Sequence, residues 1–159
     1  MFWEDFVASA VLEREKGYCA QKAVLLVALG RAAGIPSRLA FASIRNHPTP
    51  ARFVEKLGAN VFPRHGYDQF LPDGWWVSAA ATFDWALCER NGLRTVEFDG
   101  VNDAMLPPVD TLGNRHIEYV EKFDREADLP LDWMVREISR VWGADKRPWL
   151  SRESRAESN

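Results

Sequence analysis

A cysteine at the start of a helical segment is the first candidate for chemistry in this sequence. Cys19 follows Gly17 and opens a run rich in Ala, Val and Leu that ends at Gly34. Good helix formers between two glycines predict a helix that begins at about Cys19. A thiol in the first turn faces unpaired backbone N–H groups and the positive end of the helix dipole, and both stabilise the thiolate. Cys19 is therefore the candidate nucleophile.

A thiolate nucleophile needs a base that accepts its proton, and the chain has three histidines. His47 lies in a proline-rich loop, and His116 lies in a stretch rich in Gly and Asn. His65 begins a predicted strand, which can hold an imidazole in a fixed position. His65 is therefore the candidate base.

The strand of His65 is predicted to form a hairpin through the turn Pro72-Asp73-Gly74, because Asp-Gly favours tight turns. Counting through the turn places His65 opposite Ala81 or Thr82, with an error of about one residue. An acid that orients the imidazole is expected at 80–82, but the sequence there reads Ala-Ala-Thr. The candidate base therefore lacks an acid at the expected position.

The order of helices and strands along the chain predicts an α+β fold with an antiparallel sheet. Residues 93–116 are rich in turn formers and are predicted to be irregular. A single domain is predicted over residues 1–145, and the charged, Ser-rich residues 146–159 are predicted to form a disordered tail. The predicted helices are 4–16, 19 to about 34, 82–89 and 131–142, and the predicted strands are 38–44, 65–71 and 75–81.

Three segments resemble the motifs of the transglutaminase-like superfamily, over residues 15–85. Residues 17–38 follow its active-site pattern, Gly-x-Cys and then Ala-x-Leu-Leu-x-Ala-Leu-x-Arg-Ala-x-Gly-Ile-Pro-x-Arg. Residues 65–67, His-Gly-Tyr, and 73–77, Asp-Gly-Trp-Trp-Val, resemble its second motif, a histidine strand and a Gly-Trp turn. The third motif is an aspartate followed by Pro and Thr, and it corresponds here to Ala-Ala-Thr at 80–82.

The resemblance implies a papain-like arrangement in which the Cys helix packs on an antiparallel sheet. It also implies acyl transfer through a cysteine thioester, by hydrolysis or by transfer to an amine, on a peptide or an amide-containing small molecule. In that scheme Cys19 and His65 form the reacting pair. Asp84 is the nearest acid that could reach the imidazole, and Thr82 offers a weaker hydroxyl acceptor. Residues 86–142 are similar to a bacterial subgroup of these proteins.

Two other functions stay open. Ala80-Ala81, the short N-terminus and the aromatic content also fit a catalytically degenerate module of this family that binds or scaffolds. The same residues also fit an acyltransferase step in small-molecule or peptide biosynthesis. Family members generally carry more sequence before the Cys helix than the 18 residues here. A second copy or another partner chain is therefore expected to cover exposed apolar surface.

The composition argues against several other classes. A formal net charge of −3 disfavours a nucleic-acid binder, which would carry a basic face. No apolar run is long enough to cross a membrane, and the N-terminus lacks the basic start and apolar core of a signal peptide. The two cysteines form no disulfide framework, and the histidines show no metal-ligand spacing. The sequence predicts a cytoplasmic protein without a metal or a cofactor.

Overall fold

Four strands form one antiparallel sheet, and the long helix that begins at Cys19 packs on it. The computed structural model of the chain describes residues 3–142, so the tail predicted for 146–159 lies outside the described residues. A short 3-10 helix, Trp3–Phe6, comes first, and it is followed by α1 (Ala8–Arg14), α2 (Cys19–Ala32), β1 (Ser37–Asn46), α3 (Ala51–Leu57), β2 (Val61–Phe70), β3 (Val77–Ala79), α4 (Trp85–Asn91), β4 (Ile117–Glu126) and α5 (Leu131–Trp142).

The strand order is β3-β2-β1-β4, so β2 and β1 lie in the middle of the sheet. Each neighbouring pair runs antiparallel, which confirms the predicted α+β fold. In the β2–β3 hairpin, Phe70 pairs with Val77. The pairing ends at Asp68 and Ala79, so β3 stops before either of the residues predicted to lie opposite His65.

Side chains bury both faces of the sheet. On one face, Ala23 of α2 packs in a cluster with Phe41 of β1. On the other face, Ala42 of β1 packs with Tyr67 of β2 in a second cluster, since successive strand residues point to opposite faces. Because both faces are covered, residues 63–70 of β2 are all buried. The candidate base therefore lies in the fully buried stretch of β2.

The structure differs from the predicted elements in a few places. β2 begins at Val61 rather than at His65. Its first half contains a proline and an irregularity in the pairing with β1, so the sequence there lacks the regular pattern of a strand. The predicted first helix is divided at Val7, whose backbone is extended. The predicted helix at 131–142 is confirmed as α5.

Two elements, α3 and β4, have no counterpart among the predicted segments. Six of the ten residues of β4 are charged, so it lacks the apolar run that marks a buried strand. α3 is only seven residues long and starts directly after the predicted proline loop. None of the helices within residues 3–142 is both long enough and apolar enough to span a membrane.

Candidate active site

Cys19 is the first residue of α2. The preceding Tyr18 has an extended backbone, with φ −88° and ψ 178°, so the helix starts sharply at the cysteine. Oε1 of Gln21 accepts a hydrogen bond from the backbone N–H of Tyr18 at 3.2 Å, and its Nε2 donates to the carbonyl of Asp5 at 2.9 Å. These two bonds fix the first helical turn and the direction in which the Cys19 side chain leaves it.

The first turn of α2 lies directly on β2 at Gly66. A Cβ on this glycine would lie 2.9 Å from Cα of Ala20, which is closer than two such atoms pack, so the contact requires glycine. Hydrogen bonding from the backbone of Gly66 also lowers the pKa of the Cys19 thiol. Because His65 is the adjacent residue of the strand, this contact brings its backbone close to the start of the helix.

Cys19 and His65 line one cavity of about 640 Å³. Asp84, Thr82 and Lys22 also line it. All three site residues predicted from the sequence therefore border the same space. Across the described part of the chain, no group of three or more His, Cys, Asp or Glu side chains is arranged to hold a metal ion.

The thiol is subject to opposing effects. Burial raises the pKa of the Cys19 thiol. The backbone N–H groups of Gly66, Ala20 and Cys19 itself lower that pKa, and so does the ammonium of Lys22. Desolvation is the larger effect, so the resting group is the protonated thiol, and the surrounding donors are ready to stabilise the thiolate when the proton leaves.

His65 is buried, with 2% of its surface exposed. Burial lowers the pKa of the imidazole to about 4, so the ring is neutral at neutral pH and can accept a proton. It meets the ring of Tyr119 edge-on, with 6.2 Å between ring centroids. Its Nε2 has no hydrogen-bond partner among the described residues. A buried polar atom without a partner costs about 1–3 kcal/mol, so packing holds the ring against this cost.

None of the candidate orienting residues pairs with that nitrogen within residues 3–142. Ala80 is buried and has no polar side chain. The hydroxyl of Thr82 does not pair with Nε2 of His65. Asp84 is exposed, and its Oδ1 accepts a hydrogen bond from the backbone N–H of Leu87 at 2.9 Å, which caps α4 and lowers the pKa of the carboxyl. Asp84 therefore borders the cavity as a helix cap, and its orienting role stays a prediction.

Lys22 is a residue of the site that the sequence reasoning did not identify. Its Nζ donates a hydrogen bond to the carbonyl of Thr82 at 2.7 Å, which ties α2 to the segment after β3. Its ammonium also lowers the pKa of the Cys19 thiol. The spacing of three residues could have indicated this, because residues i and i+3 lie on the same face of a helix.

Arg64 holds the backbone that precedes His65. Its φ of +60° lies in the left-handed region, which costs a non-glycine residue about 1–3 kcal/mol. The guanidinium carbon lies 3.5 Å from the ring centroid of Phe123 and 3.2 Å from that of Trp133. An ion pair of 3.3 Å joins the guanidinium to Glu137. We call Arg64, Phe123, Trp133 and Glu137 the arginine clamp. Its contacts hold the strained backbone of β2 at Arg64 in place.

Comparison with known proteins gives one finding. The family model of the transglutaminase-like superfamily matches residues 2–81, half of the chain. Neither the curated proteins nor the solved structures give a match. The matched segment contains Cys19, His65 and the position of Ala80, whereas Asp84, β4 and α5 follow it. Since the match covers half of the sequence, the chain belongs to the transglutaminase-like superfamily.

Proposed function

We propose that the protein is a cysteine-dependent acyl-transfer or amide-hydrolysing enzyme in which Cys19 is the nucleophile and His65 is the base. The observation that carries this proposal is the contact between the start of α2 and Gly66. It gives the thiol backbone donors and a neighbouring imidazole in a shared cavity. Membership of the superfamily supports cysteine-based acyl chemistry in general terms.

In the first half of the reaction, the resting pair is a thiol and a neutral imidazole, because burial raises the pKa of Cys19 and lowers that of His65. The thiol proton moves to the imidazole as the sulfur attacks the substrate carbonyl. The backbone N–H of Cys19 stabilises the oxyanion, as donors at a helix start do. The imidazolium then protonates the leaving group, and the carbonyl carbon stays on sulfur as a thioester.

In the second half, the neutral imidazole takes a proton from water or from an amine, which attacks the thioester. The tetrahedral intermediate collapses, the C–S bond breaks and the proton returns to sulfur. Water gives hydrolysis of a peptide or an amide-containing small molecule, and an amine gives acyl transfer. Lys22 supports both halves of the reaction. Its ammonium favours the thiolate that attacks the substrate in the first half and that departs from the acyl carbon in the second.

A second candidate function is favoured by one observation. Nε2 of His65 is unpaired within the described residues, and Ala80 fills the position where the family has its aspartate. A catalytically degenerate module that binds without turnover fits this arrangement. It would keep the cavity and lose the fast reaction of the thiol.

Acylation by p-nitrophenyl acetate separates the two functions. The Cys88→Ala variant keeps Cys19 as its only thiol. If this variant is an active enzyme, it releases p-nitrophenol, and mass spectrometry detects one acetyl group added to the protein. The double variant Cys19→Ser, Cys88→Ala has no thiol, and it is expected to form no adduct. His65→Ala slows acylation by about 100- to 10,000-fold, the usual contribution of a general base. If the Cys88→Ala variant is acylated at the same slow rate with and without His65→Ala, the protein is a binding module rather than an enzyme.

A further inference from the structure

We propose that the cavity beside Cys19 binds an apolar acyl chain, so that the preferred acyl donor is an aliphatic ester, thioester or amide. This inference rests on the proposed function, because the thiol in the cavity wall is what identifies the occupant as an acyl group. It goes beyond that function by naming the chemical class of the group that is transferred.

Apolar side chains from separate parts of the fold converge on the cavity. They come from the end of β1, the start of β2, the segment after β3, and from α4 and α5. The volume of about 640 Å³ lies in the range of small-molecule sites and exceeds what an acetyl group needs. The apolar lining consists of Ile44, Phe62, Pro63, Phe83, Leu87 and Met134.

The charged side chains on the inner wall already have partners. Arg64 is held by two rings and by an ion pair with Glu137; its Nε and Nη1 have no hydrogen-bond partner within residues 3–142, but they are buried away from solvent. Lys22 donates to a backbone carbonyl and lies near the thiol, and Asp84 caps α4. The other two charged residues of the lining, at positions 15 and 16, are exposed to solvent. A charged acyl group would therefore lose its hydration in the cavity without a dedicated partner.

An apolar chain gains affinity in this environment with each buried methylene. The transfer of one CH₂ from water contributes about 0.8 kcal/mol, which corresponds to about fourfold in kcat/KM. The gain should continue until the chain fills the cavity and then stop. A charged group of similar length should show no such gain.

A series of p-nitrophenyl esters tests the chain-length dependence. In each reaction the sulfur forms a bond to the acyl carbon, the bond to the phenol oxygen breaks, and the thiol proton passes through His65 to that oxygen. From acetate to hexanoate, kcat/KM is expected to rise by about fourfold per methylene. The succinate half-ester is expected to react at least tenfold more slowly than butyrate. A flat series, or a preference for the charged ester, overturns the inference and leaves the proposed function intact.

Two matched leucine variants locate the effect. Leu87→Gln places an amide in the wall, and the ratio of kcat/KM for hexanoate over acetate is expected to fall at least tenfold. Leu112→Gln is the control, because this residue is 85% exposed and does not line the cavity. It should leave the ratio unchanged. Equal ratios in both variants, with circular dichroism showing that both fold, contradict the assignment of this cavity.

Binding without turnover keeps the inference testable if the proposed function fails. The Cys19→Ala chain is titrated with hexanamide and with acetamide, and binding is followed by NMR shifts. Hexanamide is expected to bind at least tenfold more tightly, with shifts at the resonances of residues that line the cavity. If no ester acylates the protein but hexanamide binds more tightly, the proposed enzymatic function is wrong and the apolar binding site is supported. Equal or absent binding of the two amides rejects the pocket.

Discussion

The two halves of the described chain contribute different parts of the site. The half that the family model matches supplies the cysteine, the histidine and the glycine contact between them. The half that follows supplies three members of the arginine clamp and three apolar walls of the cavity, from Phe83, Leu87 and Met134. The candidate nucleophile and base thus lie in the segment that the family model matches, whereas the residues that hold and enclose them lie largely outside it.

This division bears on how the imidazole is held. The motif that residues 80–82 resemble has an aspartate where this chain has Ala80. Nε2 of His65 has no partner within the described residues. The adjacent Arg64 is instead fixed by residues of β4 and α5. The second half of the chain therefore fixes the backbone beside His65 through the contacts of Arg64.

The largest effect is expected from removing the contacts of Arg64 with the second half of the chain. Arg64→Ala removes the ring contacts and leaves Glu137 without its buried partner, so the free energy of unfolding is expected to fall by about 2–4 kcal/mol. Acylation of Cys19 is expected to slow at least tenfold at a temperature where the variant is folded. Denaturant unfolding and ester acylation measure the two quantities.

Arg140→Ala is the matched control for the clamp. Arg140 also pairs with Glu137, at 2.9 Å, but its side chain is 69% exposed and an exposed pair contributes about 0.2–1 kcal/mol. It should leave the acylation rate unchanged. If both arginine variants lose the same stability and neither alters the rate, the second half has no part in positioning His65.

The second prediction restores the family arrangement inside the first half. Ala80→Asp places a carboxylate at the motif position, and an opposite charge near an imidazole raises its pKa by about 1–3 units. The pKa of His65, which is about 4, should therefore rise, and NMR titration of the ring measures it. Ala81→Asp is the control, because Ala81 is exposed and follows the motif position. An equal rise in both variants, or none in Ala80→Asp, would show that position 80 does not face the imidazole.

The third prediction tests the contact within the first half. Gly66→Ala adds a methyl group at 2.9 Å from the backbone of Ala20, and overpacking of this kind costs about 1–3 kcal/mol. The helix start should shift from the strand, so acylation of Cys19 should slow together with the loss of stability. Gly30→Ala provides the comparison, because its methyl group meets side chains of Ser37 and Phe70 at the other end of α2. It should lower stability without slowing acylation, and an equal slowing in both variants counts against the contact at Gly66.

Much of the family core could be predicted because its signals are local. Glycines bound the helix that starts at Cys19, and Asp73-Gly74 sets the hairpin register within one residue. Each of these signals needs only its immediate neighbours in the sequence. The fold class and the residues that border the cavity could therefore be reached without a structure.

The rest depends on contacts between distant residues. Nothing near Arg64 in the sequence indicates a positive φ, and its partners Trp133 and Glu137 follow about 70 residues later. The charged β4 gives no apolar pattern, although it carries Phe123 of the clamp. Such features follow from tertiary packing, which overrides local propensity. Sequence reasoning therefore named candidate residues that border the cavity, but it missed the contacts that hold the backbone beside His65.

The smallest expected effect concerns the hydrogen bond that joins the two halves beside the thiol. Lys22→Met removes the ammonium that lowers the pKa of Cys19, so that pKa should rise. Alkylation by iodoacetamide needs the thiolate, so its rate at a fixed pH below the pKa should fall and its pH profile should move to higher pH. Lys22→Arg keeps the charge and should retain most of the native profile. Lys16→Met changes an exposed lysine of the cavity lining and should have little effect. A profile that moves equally in Lys16→Met would assign the effect to general charge at the cavity, and the contact of Lys22 with Thr82 would then serve only to join the two halves.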